Sequence, residues 1–141
     1  MSHLAKIELE ITDLNALDRA CKKLGFELAR EQKTYKWFGR WVGDAPLPEG
    51  LDRNKLGECE HAIKVPGAKY EVGVIKRDSG KYSLLFDEWV SGGLVPKIGK
   101  DGGKIKQHYA IEKAKIEATR KGYRIRERVV DNKIQLTVIM R

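Results

Sequence analysis

The sequence predicts an α+β domain, a mainly antiparallel sheet with two helices packed on one face. Three observations lead there. Short runs of period-two alternation recur along the chain; two longer stretches carry apolar residues at three- and four-residue spacing; and strand and helix patterns follow one another with turn residues at nearly every change. With 141 residues the chain is long enough to bury one core without disulfides or metals, so residues 1–141 read as a single domain.

The first strand lies within His3 to Thr12, where Ala5, Ile7, Leu9 and Ile11 alternate with Lys6, Glu8, Glu10 and Thr12. Asp13 is placed to cap a helix with Leu14, Leu17, Cys21 and Leu24 on its apolar stripe, and Gly25 is a natural stop. Phe26 to Trp41 is extended and aromatic, without clean alternation. Residues 43–57, with Pro46, Pro48 and Gly50, read as an irregular excursion. His61–Val65, Tyr70–Lys76 and Lys81–Trp89 read as strands of an antiparallel meander, the last two joined by a tight turn at Arg77-Asp78-Ser79-Gly80. Ser91 to Lys104 holds five glycines and a proline, which predicts an exposed, mobile connection. A second helix is expected from about Ile105 to Lys121, stopped at Gly122. A terminal hairpin then follows, Tyr123–Val130 and Ile134–Met140, turning at Asp131-Asn132-Lys133.

The charge is unevenly spread. Residues 1–96 hold fifteen bases and fifteen acids and form a neutral body, so the helix-hairpin segment 97–141 carries the whole net +8; residues 97–128, with eleven bases and four acids, hold +7 of it. Clustered positive charge attracts polyanions from a distance. In Tyr123-Arg124-Ile125-Arg126-Glu127-Arg128 a strand projects all three arginines from one face, roughly 6.8 Å apart, close to the spacing of phosphates along a nucleic-acid strand. On the preceding helix Lys106, Lys113 and Arg120 are seven apart and nearly collinear, with Tyr109 and Ile116 beside the line. The candidate polyanion-binding residues are therefore Lys106, Lys113, Arg120, Arg124, Arg126 and Arg128, with Tyr109 as a base-stacking aromatic. The plain alternative is a solvated face, its helix partly neutralised by Glu112–Lys115, Lys113–Glu117 and Glu117–Lys121 pairs.

Catalytic and cofactor signatures are missing. Gly99-Lys100 and Gly103-Lys104 lack both the glycine five positions upstream and the following Ser or Thr that a phosphate-binding loop needs. Glu58, Cys59, Glu60 and His61 form the densest group of possible metal ligands, but a strand pointing Cys59 and His61 one way has no second pair to complete a site. No serine stands out as an activated nucleophile, and His3 and His108 are isolated. Two cysteines, Cys21 and Cys59, are too few for a disulfide framework. Trp37, Phe38, Trp41 and Trp89 read as core aromatics, Trp41 being the most exposed of them. Neither a cofactor nor a metal is expected.

Ile11-Thr12-Asp13-Leu14, Leu24-Gly25-Phe26, Tyr70-Glu71-Val72-Gly73-Val74, Gly80-Lys81-Tyr82-Ser83-Leu84, Gln107-His108-Tyr109-Ala110 and Lys121-Gly122-Tyr123 together give the chain a family likeness. It resembles the proteins encoded by a hypothetical chloroplast reading frame and widespread in cyanobacteria and other bacteria, a domain of unknown function. The resemblance runs over nearly the whole chain, apart from residues 43–57 and 91–104. It implies no catalytic residues; that relatives are sometimes found beside ring-forming ATPases implies an accessory role.

The sequence thus points to a non-enzymatic binding protein that engages nucleic acid or another polyanion through a basic helix and an Arg-striped strand. The alternative is an adaptor or regulatory subunit docking on an acidic protein surface. No apolar run reaches the roughly 18–20 residues that span a bilayer, and the opening residues carry no signal pattern, so a cytoplasmic, membrane-free protein is expected.

Overall fold

A computed structural model describes residues 4–37 and 55–140. Its elements run β1 (Leu4–Ile11), α1 (Leu14–Leu24), β2 (Glu27–Arg30), β3 (His61–Lys64), β4 (Val72–Lys76), β5 (Tyr82–Asp87), the single turn α2 (Val95–Ile98), α3 (Gly103–Arg120), β6 (Arg124–Val130) and β7 (Lys133–Ile139). This is an α+β fold. The first five strands form one antiparallel sheet in the order β1-β5-β4-β3-β2, and β6 and β7 pair only with each other. Among the described residues no helix is long and apolar enough to cross a membrane.

The strand alternation assigns the two faces of the sheet. Ile7 and Ile11 of β1, Ile63, Val72 and Val74, and Leu84 and Phe86 point to one side, where they meet Ala16, Leu17, Ala20 and Cys21 of α1 and Ile105 and Tyr109 of α3 in the main core. The capping expected of α1 is present: the Asp13 carboxylate accepts from the Asn15 and Ala16 N–H groups, and Gly25 closes the helix at φ 79°. On the opposite side the segment after β2 folds back beneath the sheet, bringing Tyr35 and Cys59 against Leu4 and Ala62. Buried Glu71 holds that segment in place, accepting from the Lys36 N–H and the Gln32 Nε2, both at 3.0 Å.

Two expectations need correction or limit. Residues 91–104 are not a mobile connection: Leu94 and Ile98 are buried in the core, and Gly93, Gly99 and Gly102 use φ values of 73°, 83° and 71° to fold the chain back tightly. Gly102 also lies against Ile7, where a Cβ would come within 2.5 Å of Cδ1, so a side chain there would push α3 off β1. Of the aromatics, Trp37 and Trp89 pack partly buried against the two cores. Phe38 and Trp41, His3, and most of the proline-containing excursion lie outside the described residues.

Gly73 of β4 lets the Tyr35 ring lie flat on the strand, since a Cβ there would be 2.5 Å from Cδ1 of the ring. Gly73→Ala is expected to destabilise by about 1–3 kcal/mol through overpacking. Gly103→Ala, in the first turn of α3 with nothing within 4 Å, should be neutral or stabilising by up to about 1 kcal/mol. Equilibrium denaturation of the two variants measures the contrast.

Candidate functional site

The terminal hairpin is a two-stranded ribbon set apart from the main sheet. Asp131 and Asn132, at φ 52° and 62°, form a two-residue turn with both central residues left-handed, the geometry that matches strand twist. The turn is one residue shorter than the sequence suggests. Lys133 consequently begins β7, opposite Val130. Cross-strand partners Arg124–Ile139, Arg126–Thr137, Arg128–Gln135 and Val130–Lys133 share one face, and Ile125–Val138, Glu127–Leu136 and Val129–Ile134 share the other.

The arginine face is exposed from end to end. It carries Arg124, Arg126, Arg128 and Lys133 and no acid, and none of the three guanidinium groups is paired with a carboxylate among the described residues. The opposite face leans on α3. There Lys115 Nζ lies 2.9 Å from Glu127 Oε2 and 3.3 Å from Glu112 Oε2, the Glu112 side chain being 5% exposed. Burial works against the Lys115 charge, but the hydrogen bond to Glu127 and the negative charge of Glu127 and Glu112 outweigh it and hold the ammonium above the ordinary lysine range. The hydrogen bond from Lys115 in turn keeps the Glu127 carboxyl below its usual value.

The helix half of the expected site does not join this stripe. Lys113 donates to Thr12 Oγ1 at 2.8 Å, at the corner between β1 and α1. Lys113 and Arg120 line an open groove of about 820 Å³ between α1 and α3, together with Asp13, Asp18 and Glu117. Their negative charge nearly balances the local bases. Lys106 is half-buried. At roughly 100° per residue, Glu112 and Lys115, where the hairpin sits, are 100–160° around α3 from the Lys106, Lys113, Arg120 line. Hence the lysine line and the arginine stripe belong to different surfaces.

Tyr109 is corrected outright. It is 3% exposed, and its hydroxyl accepts from the Thr12 N–H at 3.0 Å and the Asp13 N–H at 3.2 Å, so the ring fixes α3 to the start of α1 and cannot stack on a base. Of the expected helix pairs, Glu112–Lys115 forms; Lys113–Glu117 and Glu117–Lys121 are not among the ion pairs of the described residues. What the sequence reading missed is Lys133, hidden by one extra turn residue, and the Lys115–Glu127 contact, for which only the burial of Glu112 gives a reason.

Cys59 and His61 do not point the same way. β3 begins only at His61, and Cys59 sits in the crossing segment below the sheet, donating to the Gln32 carbonyl at 3.2 Å. His61 lies on the helix-bearing face, its ring 5.7 Å from that of Tyr82, and its Nδ1 accepts from the Glu31 N–H at 3.0 Å. Burial pushes the Cys59 thiol up to about 11 and the Cys21 thiol to about 12, and both cysteines are free. No group of three or more His, Cys, Asp and Glu side chains among the described residues is arranged to hold a metal ion. Comparison with protein-family models, curated proteins and solved structures gives no match.

Two outcomes follow. Replacing Lys115 by Met leaves Glu112 buried beside no cation and should cost about 2–3 kcal/mol in denaturant unfolding; adding Glu112→Leu should recover at least half of it. His61 is held below its ordinary value of 6.5 chiefly by burial, with Lys33 and Arg30 acting in the same sense and Glu31 and Glu60 opposing. The unfolded chain therefore takes up the proton first, so this contribution is whole above pH 6.5 and is lost as the pH falls below it. The slope of stability against pH just below that value should exceed that of His61→Gln, by at most about 1.4 kcal/mol per pH unit.

Proposed function

We propose that this chain is a non-enzymatic binding protein that engages a nucleic-acid strand through the outward face of its terminal hairpin. The observation that carries this reading is the acid-free row of Arg124, Arg126, Arg128 and Lys133 on an exposed face, held outward by the Lys115–Glu127 contact on the reverse. Guanidinium groups two residues apart on a strand repeat at roughly 6.8 Å and offer planar forks to successive phosphates, with Lys133 extending the row across the ribbon. Such contacts follow the backbone and carry little sequence information. The non-enzymatic part is supported by the use already made of the reactive side chains. Cys59 Sγ and His61 Nδ1 are engaged in main-chain hydrogen bonds, and the thiols of Cys21 and Cys59 are held protonated at neutral pH.

If all four cations neutralise phosphates of a single strand, the logarithm of the binding constant should fall against the logarithm of salt with a slope of about −2.8, from roughly −0.7 per contact. Fluorescence titration of a labelled single-stranded oligonucleotide measures it. Arg124, Arg126 and Arg128 changed together to Gln should bring the slope to about −0.7. The corresponding change at Lys106, Lys113 and Arg120 should leave it nearly unaltered. A slope near zero, or binding indifferent to the hairpin substitutions, rejects the reading; an acidic protein that stays on the immobilised chain after nuclease treatment, and leaves with the same three substitutions, turns it toward the adaptor.

A further inference from the structure

We propose that β7 pairs edge to edge with β7 of a second copy of this chain, joining two hairpins into one four-stranded antiparallel sheet. The inference concerns the other edge and the other face of the ribbon, and it does not rest on the nucleic-acid reading.

The hairpin is unfinished as it stands. Of the six large hydrophobic side chains exposed among the described residues, five are on it: Val129 (72%) and Val138 (48%) on the face away from the arginines, Val130 (37%) and Ile139 (40%) beside the arginines, and Met140 (69%) just past the end of β7. A two-stranded ribbon is marginal in water without a third strand or a covering layer, and α3 covers this one only in part, leaving Ile125, Ile134 and Leu136 half-buried.

The turn fixes which backbone groups are free. In a two-residue hairpin the closing pair, Val130 and Lys133, is hydrogen-bonded, so the bonded pairs alternate through Arg128–Gln135, Arg126–Thr137 and Arg124–Ile139. The N–H and C=O groups of Ile134, Leu136 and Val138 consequently point away from β6. This edge has no proline and one charged residue, Lys133. The edge of β6 carries Arg124, Arg126, Glu127 and Arg128, the kind of charge that blocks strand addition.

Charge makes β7, and not β6, the edge at which a second copy can dock, and its register lets the strand pair with itself. Two chains of net charge +8 repel, and pairing through β6 would set six arginines on adjacent strands about 4.8 Å apart. Pairing through β7 places the two arginine rows on the outer strands, roughly 14 Å apart, three strand spacings. About a twofold axis at Leu136, Leu136 meets its own copy and Ile134 meets Val138 of the other chain, each through its free backbone groups. Every residue falls on the face it already occupies. Lys133 lies opposite Ile139 of the copy, so no lysine faces a lysine. The strand is thus complementary to itself, as a closed twofold contact requires. The apolar row continues across both copies, and both arginine rows come to one side.

Sedimentation equilibrium of the purified chain, without nucleic acid, tests this directly. The expected mass at high concentration is twice the 16.0 kDa of one chain, falling toward 16.0 kDa on dilution. Val138→Pro removes an N–H that points out of the hairpin and should abolish the dimer; Val138→Lys, which keeps the backbone donor, should weaken it at least tenfold. Amide exchange provides a reading without substitution: the Leu136 and Val138 amides should be protected in the concentrated sample and exposed in the dilute one, with Gln135 and Thr137 unchanged. A mass of 16.0 kDa at every concentration, or a dimer indifferent to both substitutions, overturns the proposal. Because the mass is read with no polyanion present, failure here leaves the binding reading standing, and failure of that reading leaves this one.

Discussion

The orientation of the arginine face depends on one ammonium group. Lys115 stands between a nearly buried carboxylate, Glu112, and Glu127 on β6, and it is the only ion pair among the described residues that ties the hairpin to the body. Side chains on a strand alternate, so holding Glu127 toward α3 sends Arg126 and Arg128 to the other side. A carboxylate as buried as Glu112 is costly unless a cation stays beside it, which makes the placement of Lys115 a condition of α3 packing as well. The same group therefore stabilises the core and aims the hairpin. An exposed Lys–Glu pair on its own contributes well under about 1 kcal/mol and would aim nothing.

That arrangement is only as firm as α3. Its first half is fixed to the sheet: Gly102 admits Ile7 beneath the start of the helix, Ile105 is in the core, and the Tyr109 hydroxyl takes up the N–H groups of Thr12 and Asp13. Those two amides lie where β1 ends and α1 begins, so a buried aromatic satisfies backbone donors that would otherwise be left without partners. The basic residues of the helix are set by this packing. Lys113 lies one turn beyond Tyr109 on the same side and reaches Thr12, which is why it serves the corner and not the arginine stripe.

The parts that were legible in the sequence are those decided by local rules. Alternation alone placed Ile7 and Ile11 inward and Arg124, Arg126 and Arg128 together; Asp13 and Gly25 bounded α1 because capping involves only a few neighbouring residues. The rest needed to know what lies opposite. Seven-residue spacing put Lys106, Lys113 and Arg120 on a line but could not say that the line faces α1. Tyr109 had the composition of a stacking residue and the environment of a core one. In residues 91–104 the glycines by themselves suggest freedom, whereas left-handed φ values at Gly93, Gly99 and Gly102 make them a means of sharp, fixed reversal that buries Leu94 and Ile98. The hairpin turn differed by one residue, enough to move Lys133 from loop to stripe.

On the proposed readings the two faces of the ribbon would respond to salt in opposite ways, which separates the two roles physically. Phosphate contacts from the arginine face would release counterions and so weaken steeply as salt rises. The apolar face and the free edge of β7 have no such dependence of their own, and screening relieves the repulsion between two chains of charge +8. At low salt the positive field favours a polyanion and opposes a second copy. If both proposals hold, a polyanion lying across both arginine rows would remove that opposition by neutralising them, so association of the copies and binding of the strand would reinforce each other in the one regime where charge otherwise holds the chains apart.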